Sequence, residues 1–302
     1  RLHLHAAGSH GLLLEGCSGH VSRCRIGHAA DAGIFAIDST GLTLSSNAVT
    51  DCGNNGIMVW RSVPGEDGTQ VNANHIARIS ASNGGTGQNG NGINVFRAAS
   101  VAVNSNRITD CAYSAIRGNA ASNLQIVGNA CVRLGEVAIY AEFDFEGALI
   151  ASNSVDTAAT GISVTNFNVG GRLAVIQGNL IRNLQRREHE PVDKRGEGIA
   201  VEADATITGN TIENAPTAGI VIGWGRHMRD CLASGNLIRH ARVGIMVSDE
   251  PGAEAAFVTA NMISGATDGA IRAHRHGLPF GPDLAQFPID ASRIKISGNM
   301  AL

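Results

Sequence analysis

The chain has few aromatic residues, few lysines and no long hydrophobic run. Only 4% of its 302 residues are aromatic while 38 are glycine, which favours short strands and tight turns over helices packed through large side chains. Lys194 and Lys295 are its only lysines, and the formal net charge is −3. Without a basic stripe, the sequence argues against nucleic-acid binding. No apolar run reaches the ~18 residues of a membrane-spanning helix.

Paired cysteine spacings and targeting signals are also missing. The six cysteines follow neither a disulfide framework nor C-x-x-C spacing, so no disulfide and no metal cluster is predicted. The chain starts at Arg1, within what reads as a repeat, and shows no signal-peptide pattern. We therefore interpret residues 1–302 as a single domain that is truncated at its N-terminus, a fragment or a mature piece.

Two short signatures recur along the sequence. The first is an asparagine before a short hydrophobic segment, at Asn47, Asn74, Asn106, Asn129, Asn153, Asn179, Asn210, Asn236, Asn261 and Asn299. The second is a glycine or alanine before isoleucine or leucine, as at Gly11, Gly33, Gly56, Gly92, Ala115, Ala138, Gly161, Gly198, Gly219, Gly244 and Ala270. They alternate with a period of roughly 25 residues, and the segments between them alternate in hydrophobicity as strands do.

One such unit cannot bury its apolar side alone, whereas stacked copies form a continuous core. The period therefore predicts an all-β fold, a parallel β-helix of about eleven coils. We expect the asparagines at one corner, because asparagine tolerates the left-handed backbone region and its amides can bond along a ladder. The residues expected to stack inside are Ile57, Ile93, Ile116, Ile139 and Ile162.

The phrase Thr-Asp-Cys occurs twice, ending at Cys52 and Cys111. Each cysteine follows a signature asparagine at the same distance, and alanine takes this position in other copies, for example Ala158 and Ala215. The position thus favours small buried residues, and cysteine behaves as one. We predict two unpaired, buried thiols rather than reactive ones.

Long additions mark the places where the repeat breaks its own pattern. They lie near residues 77–91 and 182–197, with a third excursion near 274–292. The first two, at the same corner and four coils apart, are placed to wall the ends of a groove, although a chance placement of insertions would give the same pattern.

The floor of this groove would be the outward positions of the strands that begin with the second signature. In successive coils these positions form two columns. The first is Met58, Asn94, Arg117, Tyr140, Ser163 and Ala200, and the second is Trp60, Phe96, Asn119, Glu142, Thr165 and Glu202.

Aromatic and planar polar groups in these columns are the types that bind sugars. Predicted substrate-binding residues are the aromatic shelf, the arginines that follow it and two amides: Trp60, Arg61, Asn94, Phe96, Arg97 and Asn119. The alternative is an ordinary solvent-facing strand surface with cross-coil ion pairs.

The repeated phrase GI-x-V … I-x-GN-x-I resembles the pectate-lyase-like, single-stranded right-handed β-helix superfamily. More narrowly, it looks like the repeat proteins that alphaproteobacteria export by the twin-arginine route. The resemblance implies export to the periplasm or the outside of the cell. Because the superfamily contains lyases, hydrolases, epimerases and non-catalytic members, it specifies the fold better than the chemistry.

A lyase acting on an acidic polysaccharide is the first functional hypothesis. β-Elimination needs a cation beside the uronate carboxylate, a base and an acid. Arg97 and Arg117 would supply the cation, and the resemblance implies that Arg117 can be the base. Tyr140 or His189 would transfer the proton, and Glu142 would orient Arg117 or hold calcium. An epimerase shares these requirements.

Two other functions remain open. A hydrolase needs two carboxylates about 5 to 9.5 Å apart, and the column mates Glu142 and Glu202 stand three coils apart. A non-catalytic exported β-helix that binds glycan or a protein partner requires none of this chemistry. The sequence does not predict an oligomeric state.

Weaker candidates lie elsewhere. His3 and His5 share a strand face but lack further zinc ligands, and Asp144 with Glu146 would suit calcium near Glu142. The remaining candidates are a covering loop with His274 and His276 and a second sugar platform at Trp224. No other cofactor is expected.

Overall fold

The structure is a computed structural model that describes residues 2–85, 87–166, 172–187, 196–287 and 293–302. Its contacts divide it into two compact units, unit 1 (Arg1–Leu149) and unit 2 (Ile150–Leu302). In both units short strands pair in parallel with the equivalent strands of the next coil. The predicted parallel β-helix is confirmed, with six coils described in unit 1 and about five in unit 2.

Each coil of unit 1 contributes strands to three faces. The Asn face holds the strands that follow the asparagine corner: β1 (His3–His5), β4 (Arg25–Gly27), β7 (Ala48–Thr50), β10 (His75–Ile79), β13 (Arg107–Cys111) and β16 (Ala130–Leu134). The Gly-Ile face holds β2 (Leu12–Glu15), β5 (Ala32–Ile37), β8 (Asn55–Glu66), β11 (Asn91–Ala99), β14 (Ile116–Asn119) and β17 (Val137–Glu142). The third face holds β3 (Gly19–Ser22), β6 (Leu42–Ser45), β9 (Gln70–Asn72), β12 (Ala102–Asn104) and β15 (Leu124–Val127). Strand β18 (Glu146–Ala151) contains the division between the units.

Unit 2 repeats the three faces. Its Asn face holds β19 (Ser154–Asp156), β22 (Leu180–Arg182), β29 (Met262–Ser264) and β33 (Met300–Ala301), and its Gly-Ile face holds β20 (Thr160–Thr165), β23 (Glu197–Val201) and β30 (Ile271–Arg275). Two long strands, β25 (Thr211–Ile222) and β27 (Leu237–Ser248), run through both faces. The third face holds β21 (Arg172–Gln177), β24 (Ala205–Thr208), β26 (Cys231–Ser234), β28 (Ala256–Thr259) and β32 (Ile294–Ser297).

Two elements of unit 2 depart from the repeat. Strand β31 (Leu278–Asp283) folds back and pairs antiparallel with β30, and a 3-10 helix spans Gly225–His227. The described residues contain no α-helix. None of their helical segments is long and apolar enough to cross a membrane.

The asparagine column forms a continuous side-chain ladder within each unit. From the second asparagine of each unit onward, Oδ1 accepts hydrogen bonds of 2.8–3.1 Å from the backbone N–H and the Nδ2 of the asparagine one coil earlier. The ladder comprises Asn47 to Asn129 in unit 1 and Asn153 to Asn299 in unit 2. The predicted corner and its amide bonds are therefore confirmed.

The expected backbone reason for asparagine is wrong. Positive φ falls on the residue before each asparagine, for example 56° at Ser105 and 69° at Gly128, while the column asparagines stay outside that region. Two residues therefore form the corner. The residue before asparagine adopts the left-handed backbone conformation, and asparagine satisfies buried polar groups. Serine and alanine also adopt the left-handed conformation at the position before asparagine. Glycine is therefore favoured there but not required.

The core is filled by the inward positions of the strands. In unit 1 the isoleucine column runs in register from Ile34 through Ile57, Ile93 and Ile116 to Ile139, and every member is fully buried. Ile162 heads the matching column of unit 2. The predicted isoleucine stack is confirmed within each unit.

Cys52 and Cys111 are buried and unpaired, as predicted, and of the six cysteines only Cys17 is exposed. Burial raises the pKa of the Cys52 thiol to about 11 and also raises that of Cys111. The column is less restricted than predicted, because Ile79 and Leu134 flank Cys111 in register. It selects apolar residues that fit the corner rather than small ones.

Candidate functional site

The register of the Gly-Ile strands in unit 1 brings the predicted groove residues side by side. Strand pairing aligns the first column as Met58, Asn94, Arg117 and Tyr140, and the second as Trp60, Phe96, Asn119 and Glu142. These are the columns expected from strand parity. They place the two amides, the arginine and the carboxylate within three consecutive coils.

A groove with a cavity volume of about 420 Å³ opens on this surface. Its lining residues are Trp60, Gly87, Gln88, Asn94, Phe96, Arg117, Asn119 and Glu142. Six of the eight belong to the predicted columns. Gly87 and Gln88 were not predicted, and they come from the first insertion, which forms one wall.

The wall is anchored by amide side chains. The carbonyl oxygen of Gln88 accepts hydrogen bonds from Asn55 Nδ2 at 2.8 Å and Asn94 Nδ2 at 3.2 Å. Asn91 Nδ2 donates to the Gly87 carbonyl at 2.8 Å. Asn55, Asn91 and Asn94 are all buried, so the loop backbone is held at a set height above the groove floor.

Arg117 and Glu142 form a buried ion pair at the polar end of the groove. The Glu142 side chain is 1% exposed and that of Arg117 12%. Oε1 of Glu142 accepts a hydrogen bond from Arg117 Nε and lies 2.6 Å from both Nε and Nη2, and it accepts another from Asn119 Nδ2 at 2.7 Å. Three nitrogens converge on one oxygen, so the carboxylate holds the guanidinium at a defined angle.

The guanidinium is packed on other sides as well. Its Cζ lies 4.9 Å from the centroid of the Tyr140 ring, a cation–π distance. At Gly87, where φ is +106°, an added Cβ would lie 2.7 Å from Nη2. Only glycine therefore leaves room for the guanidinium beneath the loop. Tyr140 lies beside the groove and positions Arg117 instead of lining the cavity.

An aromatic row leads away from this polar end. The ring centroids of Trp60 and Phe96 are 5.3 Å apart, and those of Trp60 and Phe35 are 5.6 Å apart. His10 continues the row 4.9 Å from Phe35. Trp60 and Phe96 were predicted, whereas Phe35 and His10 were not. Phe35 could have been predicted from the second signature at Gly33, because that signature makes Phe35 an outward residue.

Arg61 and Arg97 lie within β8 and β11, directly after the aromatic residues and outside the lining of the groove. The Arg97 guanidinium lies 4.7 Å from the Phe96 centroid, and its Nη1 donates to the Ser62 carbonyl at 3.1 Å. Nε and Nη1 of Arg61 and Nε1 of Trp60 are buried without a hydrogen-bond partner among the described residues. Both arginines thus border the aromatic row, and neither reaches Arg117.

Several predicted candidates lie apart from this groove. His189 lies outside the described residues, as does much of the second insertion, which belongs to unit 2. The idea that the two insertions enclose one groove therefore stays a prediction. Ser163 and Ala200 align in unit 2.

His274 is a structural residue of unit 2 and not part of a covering loop. It is fully buried, its Nε2 lies 3.2 Å from the Ile222 carbonyl, and its Nδ1 accepts from Gly277 N–H at 3.1 Å. Burial lowers its pKa to about 4, so the imidazole is neutral. His276 is exposed and packs its ring 5.3 Å from that of Trp224.

The described residues contain no group of three or more His, Cys, Asp or Glu side chains placed to hold a metal ion. Asp144 and Glu146 are exposed, and Glu142 is engaged by Arg117. His5 and His28 stack with centroids 4.5 Å apart, without a third ligand of these types.

Comparison with known proteins supports the fold. The model of the right-handed β-helix region matches residues 10–168 and 87–238. A variant of the periplasmic alginate epimerase AlgG is similar in structure, with a TM-score of 0.55 and 10% identity over 94% of this chain and 76% of the epimerase. An alginate lyase from Paenibacillus sp. str. FPU-7 gives a TM-score of 0.53 and 14% identity over 94% of this chain and 95% of the lyase. Curated protein sequences give no significant match.

Proposed function

The chain belongs to the right-handed β-helix family, and on that premise we propose that the groove of unit 1 binds an acidic polysaccharide and cleaves it by β-elimination. The observation that carries the proposal is Arg117, a guanidinium held inside the groove by Glu142, which also accepts a hydrogen bond from Asn119, next to an aromatic row. We further propose that the protein acts outside the cytoplasm, where such polymers occur.

Arg117 suits the role of carboxylate receptor. Glu142 occupies its Nε side, while Nη1 has no partner among the described residues. A guanidinium has five N–H donors in a planar fork, so both N–H groups of Nη1 and the second N–H of Nη2 remain available to a substrate carboxylate. Because arginine stays charged in proteins and Glu142 stabilises that charge, Arg117 fits neutralisation of the uronate better than the role of base.

The chemistry would then follow from that neutralisation. With its carboxylate paired, the uronate is easier to deprotonate at C5, since negative charge develops beside a fixed cation. In a lyase the electrons left at C5 form the C4–C5 double bond, and the O4 substituent leaves with a proton. In an epimerase the proton returns to the opposite face. Tyr140, stacked beside Arg117, is the nearest candidate for proton transfer among the described residues, and His189 remains a second candidate.

A binding protein without catalysis is the alternative, and one observation favours it. Among the residues that line the groove, Glu142 is the sole carboxylate, and it is buried and engaged by Arg117 and Asn119. It is therefore unavailable as a free acid or base, and Tyr140 lies beside the cavity. The same groove would then recognise a glycan and leave it intact.

Incubation in D₂O with a panel of uronate-containing polysaccharides, both homopolymers and polymers that mix uronates with neutral sugars, separates these outcomes. Alginate is the first polymer to test, because two proteins of similar fold are named for acting on it. A lyase generates an unsaturated product that absorbs in the ultraviolet, and an epimerase incorporates deuterium at C5 without shortening the polymer. Binding without either change identifies the non-catalytic alternative.

The matched variants are Arg117→Met and Arg133→Met. Arg133 belongs to the same unit but is 59% exposed and pairs with Asp110. We expect turnover to fall by two orders of magnitude or more in the first variant, about 3 kcal/mol of transition-state stabilisation, and to stay unchanged in the second. If no polymer of the panel is altered or bound, the proposal is wrong.

A further inference from the structure

The outer surface of the Gly-Ile face changes character along unit 1. Over the coils of β2, β5 and β8 the residues of the two outward columns are apolar with one exception, and Phe96 of β11 continues the series. These apolar residues are Leu13, Phe35, Ile37, Met58, Trp60 and Phe96. From Asn94 onward the same columns are polar, with Arg117 and Glu142 in the next two coils. Arg117 thus stands at one end of a longer apolar surface.

The aromatic row provides one ring per coil along this surface. From His10 to Phe96 successive centroids are 4.9, 5.6 and 5.3 Å apart, near the ~4.8 Å spacing of neighbouring strands and close to the length of one sugar unit. Interplanar angles of 58–84° show that neighbouring rings are tilted against each other and not stacked face to face. A ligand lying over the row meets mainly C–H groups.

The charges at the far end of the row are acidic. Glu15 is the exception in the apolar columns, an exposed residue in register with Ile37. Asp38 follows Ile37, and hydrogen bonds from the Ser62 hydroxyl and backbone N–H lower the pKa of its carboxyl. Asp31 Oδ2 lies 3.7 Å from His10 Nδ1.

Two arginines border the row, one in the coil of Trp60 and one in the coil of Phe96. Arg97 is stacked on Phe96 and bonded to the Ser62 carbonyl, and Arg61 directly follows Trp60. His10, at the acidic end, would add a positive charge only when protonated. A uronate carboxylate placed over Phe35 would therefore lie near Glu15, Asp31 and Asp38, three carboxylates against the single fixed cation of Arg61, whose charge acts on Asp38.

Resting on the proposed function, we propose that the substrate is a heteropolysaccharide in which the uronate held by Arg117 is flanked, toward the first coils, by neutral sugar units. The aromatic row binds the apolar faces of those units, and the acidic residues beyond it disfavour a run of uronates. Arg117 would then recognise a uronate carboxylate only where neutral sugars flank it, and not at any position of a homopolymer.

Pentasaccharides of defined sequence test this proposal. Isothermal titration compares a homopolymeric uronate with two mixed oligomers, which carry a single uronate at one end or the other followed by neutral sugars. We expect one mixed oligomer to bind at least tenfold more tightly than the homopolymer. Phe35→Ala should weaken that binding roughly threefold to tenfold, as for the loss of one aromatic contact, and leave the homopolymer unaffected.

Phe257→Ala is the matched control, since Phe257 is an outward phenylalanine on the third face of unit 2 and 40% exposed. It should change neither affinity. If the homopolymer binds as tightly as both mixed oligomers, or if Phe35→Ala has no effect, the flanking preference is wrong while binding of an acidic polysaccharide stands. If none of the three oligomers binds, the proposed function itself is overturned.

Discussion

Replacing Asn106 by alanine tests how much the asparagine ladder stabilises the protein. The backbone N–H of Asn74 and the carbonyl of Val71 each lose their bond to the Asn106 side chain. Asn74 Nδ2 and Asn129 Oδ1 each lose one of two bonds. An unsatisfied buried polar group costs about 1–3 kcal/mol, so we expect a loss of about 3 to 5 kcal/mol after partial relaxation.

Guanidinium chloride unfolding followed by far-UV circular dichroism measures this loss as a shift of the midpoint at unchanged slope. The control is Asn104→Ala, two residues earlier on β12, because Asn104 Oδ1 has no partner among the described residues. That change should stay within about 0.5 kcal/mol. A loss below about 1 kcal/mol for Asn106→Ala would refute the view that the ladder stabilises the coils.

Three other expectations concern titratable groups. A thiol reagent should label Cys17 in the native protein and the other cysteines only after unfolding, since burial raises the pKa of Cys131 and Cys231 to about 12; rapid native labelling of a second cysteine would contradict this. The folded pKa of His274, about 4, lies below the ordinary 6.5, so stability should fall as pH drops from 6.5 to 4, and less so in His274→Gln. Hydrogen bonding to Arg78 lowers the pKa of Asp51 from 3.8 to about 2, so that pair should stabilise above about pH 3.8 and lose its effect toward pH 2. Because the pair is largely exposed, Asp51→Asn should lower the free energy of unfolding by less than about 1 kcal/mol at pH 7. A larger loss would show that the Asp51–Arg78 pair stabilises the fold more than its exposure suggests.

Strand parity explains why much of the groove floor was predictable. Once the second signature defines an inward isoleucine, the first and third positions after that isoleucine must face outward. The equal spacing of copies then aligns Asn94, Arg117 and Tyr140 across coils without knowledge of the turns. The same reasoning reaches Phe35, one coil before Met58 in the first column.

The parts that sequence reasoning missed depend on geometry outside the repeat. The wall residues Gly87 and Gln88 lie in an insertion whose backbone no periodicity describes, and amide bonds from Asn55 and Asn94 set its position. The proline-rich segment after His274 is typical of a loop, although His274 itself lies on the regular strand β30. Strand β31 lacks the alternation of hydrophobic and polar residues that predicts a strand, so its antiparallel pairing with β30 was not predicted.

The sequence leaves two roles open for Glu142, orienting Arg117 or holding calcium. In the structure the carboxylate contacts Arg117 and Asn119, because side chains at register positions on adjacent coils are close enough to bond. Such contacts decide roles that residue types alone leave open. They also show why a surface ion pair and a buried one look alike in a sequence.

The central claim is that Arg117 recognises a substrate carboxylate, and a double-mutant cycle between protein and ligand tests it most directly. Titration calorimetry would compare a uronate oligosaccharide with its carboxyl-reduced counterpart on the wild-type protein and on Arg117→Met. Hydrogen bonds to charged groups contribute about 1.5–3 kcal/mol, so we predict that the wild-type protein prefers the carboxylate by roughly tenfold or more and that the variant shows no preference. An equal preference in both proteins would contradict the claim.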